Sequence, residues 1–179
     1  MSKQDNVFLV GPMGSGKTAV GRRLARDVGR EFIDSDAEIE RRTGVDITFI
    51  FEKEGEARFR EREKAVIADL TGREQVVLAT GGGAILDPDN RRRLQSNGIV
   101  VYLRTTVKQQ LERTRHTQQR PLLLDGDPAV ILERLMHVRG PLYEALADIS
   151  IDTGGQRVRT VVDQIKTRLA GHDYAPLKK

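Results

Sequence analysis

A glycine-rich segment near the start of the chain, Gly11-Pro12-Met13-Gly14-Ser15-Gly16-Lys17-Thr18, fits the pattern G-x-x-x-x-G-K-S/T. The apolar run from Val7 to Val10 precedes it, and apolar residues at helical spacing follow it. A strand, a glycine loop and a helix in this order direct backbone N–H groups and the positive end of a helix at one anion. The segment, which we call the P-loop, therefore predicts a site for the phosphates of a nucleotide.

The side chains of the P-loop predict separate contacts with that nucleotide. Lys17 would contact the β- and γ-phosphates, which makes it a candidate catalytic residue, and the hydroxyl of Thr18 would bind Mg²⁺. A glycine turn that resembles the motif by chance is the alternative, which four constrained positions between a strand and a helix make rare. The residues expected to contact the nucleotide are Gly14, Ser15, Gly16, Lys17, Thr18 and Ala19.

The composition is typical of a globular protein with one domain. The 179 residues suit one core, and 38% apolar with 31% charged residues do not suit a disordered chain. Cysteine is absent, which excludes disulfides, thiolate nucleophiles and cysteine-bound zinc. The sequence has no apolar run of membrane length and no signal-peptide pattern, so we expect a cytoplasmic protein without a membrane partner.

The net charge of +4 and the pI near 9.6 raise the possibility of nucleic-acid binding. Aromatic residues make up only 4% of the chain, and no stacking platform for bases is visible. We therefore attribute the positive charge to a small anionic substrate and to ATP, and we expect no nucleic-acid partner.

Five short apolar runs alternate with segments of helical periodicity. This alternation predicts an α/β protein with a parallel sheet covered on both faces. The sequence predicts one domain, 1–179, with an insertion at about 35–70 and a polar lid loop at about 116–127. The predicted strands are 7–10, 31–34, 76–79, 99–103 and 149–152.

Two interruptions of helical periodicity are expected. Gly55 is expected to separate a helix at 47–54 from a longer helix at 56–70. A second break is expected at Arg139-Gly140, because Pro141 follows directly and proline disfavours a helical conformation in the residue before it.

Acidic residues and glycines follow the ends of the second and third predicted strands. Asp34 and Asp36 follow the second strand, and Gly81-Gly82-Gly83 follows the third. Because ligands of parallel sheets bind at the carboxyl ends of strands, we expect these residues to converge with the P-loop. Asp34 is then a candidate Mg²⁺ ligand, and Asp36 is a candidate catalytic residue that orients an acceptor hydroxyl and accepts its proton. The alternatives are helix capping for the aspartates and a loose turn for the glycines.

Three arginines are candidates for binding anions: Arg60 in the insertion, Arg120 in the polar loop and Arg139 near the predicted break. A single arginine is more often a surface charge. Arg120 is also a candidate catalytic residue, because a loop that closes over the γ-phosphate would stabilise charge in the transition state and exclude water.

In combination these segments resemble the shikimate kinase family of small P-loop kinases, from about residue 7 to residue 169. The resemblance implies transfer of the ATP γ-phosphate to the 3-hydroxyl of shikimate, with Mg²⁺, in aromatic amino-acid biosynthesis. It also implies a monomer with a three-layer α/β/α fold and a five-stranded parallel sheet in the order 2-3-1-4-5. The matching segments are the P-loop, Asp34-Ser35-Asp36, Phe59-Arg60, Gly81-Gly82-Gly83, Arg120-Pro121-Leu122-Leu123 and Arg139-Gly140-Pro141-Leu142-Tyr143.

The resemblance also implies roles for individual residues. Asp36 would hold the hydroxyls of shikimate, and Arg60 and Arg139 would hold its carboxylate. Arg113 would lie beside the adenine, and Arg120 would contact both phosphate and substrate. The substrate-binding residues implied are Asp36, Arg60, Gly81, Gly82, Gly83 and Arg139, and the metal ligands implied are Thr18 and Asp34.

Two alternative functions are consistent with the P-loop. One is a kinase of another small metabolite, such as gluconate; Asp36, Arg60 and Arg139 favour instead a pocket for a hydroxylated ring acid. The other is a regulatory module that binds a nucleotide without transferring phosphate.

Overall fold

Five strands form the centre of the computed structural model, which describes residues 6–114 and 126–172. They are β1 (Val7–Val10), β2 (Glu31–Asp34), β3 (Val76–Ala79), β4 (Ile99–Arg104) and β5 (Ile149–Asp152). All four strand pairs are parallel, and the order across the sheet is β2-β3-β1-β4-β5. The predicted fold and strand order are therefore confirmed.

Seven α-helices and a short 3-10 helix at Ala84–Leu86 accompany the strands in the described parts of the chain. None of these helices combines the length and the apolar character that a bilayer crossing requires. The α-helices are α1 (Lys17–Val28), α2 (Ser35–Thr43), α3 (Ile47–Leu70), α4 (Pro88–Asn97), α5 (Val107–Thr114), α6 (Pro128–Leu146) and α7 (Val158–His172).

The sheet has one hydrophobic core on each face, because successive strand side chains point to opposite faces. Leu9 packs into the core that contains Leu24 of α1 and Val162 of α7. Phe8, the neighbouring residue, packs into the opposite core with Ile67 of α3. The strands β1 and β3 are buried on both sides, as expected for the centre of a parallel sheet covered by helices, whereas the edge strand β2 is partly exposed.

The register of the strands brings the predicted site residues to one edge of the sheet. Asp34 at the end of β2 pairs with Ala79 at the end of β3, and Ala79 pairs on its other side with Leu9 of β1. The P-loop, the aspartates and the glycines that follow β3 therefore start from neighbouring positions, and the predicted convergence is confirmed.

The predicted insertion at 35–70 contains α2 and α3, and α3 bends sharply in its middle. Gly55 has non-helical angles (φ 82°, ψ 169°), so the predicted interruption at this residue is confirmed. The rings of Phe51 and Phe59 pack across the bend, with centroids 4.8 Å apart. These contacts hold the first part of α3 beside the second.

The predicted break at Arg139-Gly140 is wrong, because α6 continues through Pro141. Proline removes one backbone hydrogen bond from a helix. The helix continues because Leu132, Arg139 and Tyr143 are buried along one face, and packing outweighs the local preference. Arg139 consequently lies on a rigid helix and not in a bend.

Most of the predicted lid loop at 116–127 lies outside the described residues. Its last residue, Asp127, caps α6, because its carboxylate accepts a hydrogen bond from the N–H of Ala129 at 2.9 Å. The assignment of the whole chain to one domain with a lid stays a prediction.

Candidate active site

The P-loop joins β1 to the N-terminus of α1 in a tight turn. Gly11 has φ +147°, and a Cβ atom there would lie 2.7 Å from the carbonyl oxygen of Leu103. Only glycine fits at this position, because both the backbone angle and the space exclude a side chain. Gly16 caps α1 in a left-handed conformation and places Lys17 and Thr18 in the first turn of the helix.

Lys17 lies over the P-loop rather than in open solvent. Its Nζ donates hydrogen bonds to the carbonyl oxygens of Gly11 at 2.8 Å and Pro12 at 2.9 Å. These contacts hold a positive charge above the loop at the N-terminus of α1. An anion bound in the loop would meet the ammonium and the positive helix end together.

Thr18 and Asp34 form a pair of oxygen ligands beside the P-loop. The Thr18 hydroxyl donates to Oδ2 of Asp34 at 2.8 Å. Oδ1 of Asp34 accepts from the N–H groups of Asp36 and Ala37, so Asp34 also caps α2. The capping interpretation and the metal interpretation therefore involve different oxygens of one carboxylate.

The cleft beside the P-loop has a volume of about 290 Å³, and the residues predicted to bind the acceptor enter it from four parts of the fold. Asp36 comes from α2, Arg60 from α3 and Arg139 from α6, and the fourth part is the turn Gly81–Gly83 after β3. Sequence reasoning placed these residues in one pocket, and the structure brings them together.

The three residues of this glycine turn each face a different side chain of the cleft. A Cβ atom on the first would lie 2.6 Å from Oδ1 of Asp36, and one on the third would lie 2.5 Å from Nη2 of Arg60. A Cβ atom on the second would lie 3.6 Å from Nη1 of Arg139. Side chains at the first and third positions would displace the charged groups, which explains the glycines there.

Glu63 is a residue of the cleft that sequence reasoning missed. Its side chain is 2% exposed, and its Oε2 accepts a hydrogen bond from Nη1 of Arg60 at 2.7 Å. Burial raises the pKa of Glu63, and the guanidinium of Arg60 opposes this effect. A usable signal was present, because Glu63 interrupts the apolar stripe of α3 at a spacing of four from Phe59 and three from Val66.

Arg139 is a buried cation, with 5% of its surface exposed. Its Nε has no hydrogen-bond partner among the described residues. A buried guanidinium with a donor in excess is suited to an anionic group of a ligand, because such donors are costly when they stay unpaired. Arg60 supplies a second guanidinium to the same cleft.

Arg113 lies at the end of α5, against the P-loop. Its Nη1 donates to the carbonyl oxygen of Gly14 at 2.8 Å, and its Nη2 donates to that of Thr153 at 3.0 Å. The side chain thus connects the P-loop to the segment after β5, and its position beside an adenine stays a prediction. Arg120 lies outside the described residues.

A P-loop beside a cleft with two arginines and a carboxylate, at the carboxyl edge of a parallel sheet, is the arrangement of the P-loop kinases that phosphorylate small molecules. The family model described as shikimate kinase matches residues 13–170. The chain belongs to the shikimate kinase family, and it is an enzyme of the kinase class.

Individual relatives agree with this family over nearly the whole chain. The shikimate kinase of Methylococcus capsulatus is 56% identical over 165 residues, which cover 92% of each chain. That of Vibrio cholerae is 51% identical over 172 residues, 96% of this chain and 99% of the relative. The structure of shikimate kinase from Acinetobacter baumannii in complex with shikimate has a TM-score of 0.93 and 49% identity, and covers 95% of each chain.

Proposed function

We propose that this protein transfers the γ-phosphate of ATP to the 3-hydroxyl of shikimate and so produces shikimate 3-phosphate for aromatic amino-acid biosynthesis. The observation that carries the proposal is the position of Asp36, Arg60 and Arg139 around one glycine turn, directly beside the P-loop. Two guanidinium groups suit a carboxylate, and a carboxylate acceptor suits a hydroxyl, so the cleft matches a hydroxylated acid.

The nucleotide binds with its phosphates in the P-loop, against the backbone of Gly14, Ser15 and Gly16 and the start of α1 at Lys17, Thr18 and Ala19. Lys17 exchanges its carbonyl partners for the β- and γ-phosphates and neutralises charge that develops during transfer. Arg113 lies beside the adenine. Arg120 contacts the γ-phosphate and the acceptor, an assignment that rests on the sequence.

Thr18 and Asp34 are the residues that would hold Mg²⁺. Their two oxygens lie 2.8 Å apart at the mouth of the P-loop, and hard oxygen ligands are those that Mg²⁺ prefers. The described residues contain no group of three acidic, histidine or cysteine side chains that could form a metal cage. A site of one hydroxyl and one carboxylate fits this ion, which commonly takes its remaining ligands from phosphates and water. Held there, Mg²⁺ would neutralise negative charge on the phosphates of the nucleotide.

Shikimate binds with its carboxylate between Arg60 and Arg139 and with its ring against the turn Gly81–Gly83. Asp36 accepts a hydrogen bond from the 3-hydroxyl and orients this oxygen toward the γ-phosphorus. The oxygen forms a bond to phosphorus as the bond to the β–γ bridging oxygen breaks, and Asp36 takes the hydroxyl proton. ADP is the leaving group.

We also propose a monomeric enzyme, because the described residues of the site meet within a single chain. Lys17, Asp36, Arg60 and Arg139 all come from one chain and reach one cleft or its rim. The alternatives of a gluconate-type kinase and a regulatory module are less well supported, because relatives more than 50% identical are shikimate kinases.

The decisive experiment measures ADP release from Mg²⁺-ATP with shikimate, gluconate or a nucleoside monophosphate as acceptor. We expect release that depends on shikimate and phosphorus NMR of the product that shows a phosphate ester. ADP release with another acceptor and none with shikimate would still show a kinase, but it would overturn the roles of Arg60, Arg139 and Asp36. Binding of ATP without release in any reaction would favour the regulatory module.

A further inference from the structure

Tyr143 of α6 lies directly beneath the glycine turn of the acceptor cleft. Its side chain is 0% exposed, and its hydroxyl donates a hydrogen bond to the carbonyl oxygen of Gly82 at 2.5 Å. Its ring stacks on that of Tyr102 of β4, with centroids 5.0 Å apart and an interplanar angle of 25°. Stacking on Tyr102 of the sheet therefore holds the ring of Tyr143, and the hydroxyl of Tyr143 reaches the glycine turn.

Gly82 occupies a central position between the two halves of the site. A Cβ atom on this residue would lie 3.5 Å from the carbonyl oxygen of Gly11 and 3.6 Å from the N–H nitrogen of Met13, both in the P-loop. On another side it would lie 3.6 Å from Nη1 of Arg139. A rotation of the peptide bond after Gly82 would therefore disturb the floor of the acceptor cleft, next to Arg139.

Arg139 and Tyr143 are one helical turn apart on α6, and both are buried. Burial raises the pKa of Tyr143 well above its ordinary value, and the positive charge of Arg139 opposes this effect. The phenol consequently keeps its proton at neutral pH and can act only as a donor toward the Gly82 carbonyl. One face of α6 thus supplies a cation to the cleft and a fixed donor to its floor.

The hydrogen bond from Tyr143 also determines which way the next N–H group points. In a trans peptide the C=O of one residue and the N–H of the next point in opposite directions, and the described residues contain no cis peptide bond. With the Gly82 oxygen directed at α6, the N–H of Gly83 points away from α6. A peptide between two glycines has few steric restraints of its own, so it needs an external contact to hold one orientation.

We propose that Tyr143 is a positioning residue for the acceptor: its hydroxyl holds the peptide between Gly82 and Gly83 so that the Gly83 N–H faces bound shikimate. The inference rests on the proposed function of the cleft. Tyr143 is fully buried and does not line the cleft, so in this proposal it acts through the Gly82 carbonyl that it contacts. A role in packing alone is the competing explanation, since a buried phenol commonly finds a hydrogen-bond partner.

Tyr143→Phe tests the proposal, because it removes the hydroxyl and keeps the stacked ring. The matched control is Tyr102→Phe, which makes the same chemical change in the stacking partner. The KM for shikimate, the KM for ATP, kcat and the Tm are measured for both variants and the natural chain. For Tyr143→Phe we expect the KM for shikimate to rise about three- to tenfold, as for one lost buried hydrogen bond, with the KM for ATP within about twofold.

The competing explanation predicts a different result. Loss of packing lowers the Tm and the amount of active enzyme, and it leaves the KM for shikimate unchanged. An unchanged KM for shikimate in Tyr143→Phe, or an equal rise in Tyr102→Phe, would overturn the positioning role. Failure of the proposed function itself is recognised separately, because the natural chain would then release no ADP with shikimate.

Discussion

At the scale of single residues, the cleft depends on an acid placed among arginines. Glu63 accepts a hydrogen bond from Arg60 on one oxygen, and a Cβ atom on Gly81 would lie 2.8 Å from the other. The charge of Arg139 also favours the ionised form of Glu63. Glu63 therefore supplies negative charge near two guanidinium groups that share a cleft and would otherwise repel each other.

Glu63→Gln should change how stability depends on pH. Burial raises the pKa of Glu63 above its ordinary value of 4.5 in the folded protein, against the effect of Arg60. The folded state then holds the proton to higher pH than the unfolded chain, so this group favours folding below 4.5 and loses that contribution as pH rises through its folded pKa. In urea titrations, the free energy of unfolding of the natural chain, relative to Glu63→Gln, should fall as pH rises above 4.5, the ordinary pKa of the group.

The control for this measurement is Glu61→Gln on the same helix, whose side chain is 65% exposed. The free energy of unfolding of Glu61→Gln should depend on pH nearly as that of the natural chain does. If the free energy of unfolding of the natural chain, relative to Glu63→Gln, rose with pH, the arginines would lower the pKa of Glu63 more than burial raises it.

Asp36→Asn should separate substrate binding from catalysis. Asparagine keeps the shape of the side chain and loses the ability to take a proton from the acceptor hydroxyl. We expect kcat to fall by about 10²- to 10⁴-fold, with little change in the affinity for ATP, which binds in the P-loop. Steady-state kinetics and ATP titration measure the two quantities.

Asp87→Asn is the matched control, since Asp87 caps α4 and asparagine caps a helix equally well. It should have the kinetics of the natural chain. Should Asp36→Asn also retain its kcat, Asp36 would serve the local structure of α2 and not the reaction.

At the scale of secondary-structure elements, two helices show how packing and backbone chemistry share control. The helix α6 continues through Pro141 because one of its faces is buried. The bend in α3 falls at Gly55 because glycine adopts a φ of +82° at little cost, which other residues do not. The bend places the first part of α3 against the second through Phe51 and Phe59. The side chain of Glu54 also accepts two hydrogen bonds from Arg62 across the bend, at 3.0 and 2.9 Å.

Gly55→Ala should destabilise the protein and weaken the acceptor site. A Cβ atom at this position would meet no atom within 4 Å, so the cost comes from the backbone angles alone and should be about 1–3 kcal/mol. The first part of α3 would shift, and Phe51 and Phe59 both line the cleft, so the KM for shikimate should rise. Chemical denaturation and initial rates measure the two effects.

Gly171→Ala is the matched control for the backbone angle. This glycine also has open space around its Cβ position, but it lies in α7 without a positive φ. Alanine there should leave stability unchanged or raise it by up to about 1 kcal/mol. If both variants were equally stable, the bend at Gly55 would not depend on glycine.

At the scale of the whole molecule, the parallel sheet places two binding regions at one edge. The P-loop follows β1 in the centre of the sheet, and the glycine turn follows β3 beside it. The helices α2, α3 and α6 supply the charged groups of the acceptor cleft. This arrangement places the P-loop and the acceptor cleft at neighbouring strand ends, as direct phosphoryl transfer would require.

Each substrate should stabilise the folded protein independently. A ligand at about 100 times its Kd adds about 2.7 kcal/mol, which corresponds to roughly 5–10 °C in Tm for a chain of this size. We expect both Mg²⁺-ATP and shikimate to raise the Tm of the natural chain. In Lys17→Ala the shift with Mg²⁺-ATP should shrink strongly and the shift with shikimate should remain.

Lys166→Ala, which changes an exposed lysine of α7, is the control and should show both shifts. A Lys17→Ala variant with an undiminished ATP shift would contradict the role of Lys17 in the P-loop. Loss of the shikimate shift in the same variant would mean that the two regions are not independent.

The amino-acid sequence by itself determined the order of the elements, the P-loop and the position of the aspartates and glycines at strand ends. Each of these follows from local chemistry: apolar periodicity, caps, and glycines where the backbone must turn. Only the tertiary structure decided that α6 continues through Pro141, that Glu63 is buried against Arg60, and that the Tyr143 hydroxyl meets Gly82. The contact of Tyr143 with Gly82 joins elements far apart in the chain, and local sequence patterns do not encode such contacts. The Glu63–Arg60 pair is local to α3, but the burial of Glu63 depends on the packing around that helix.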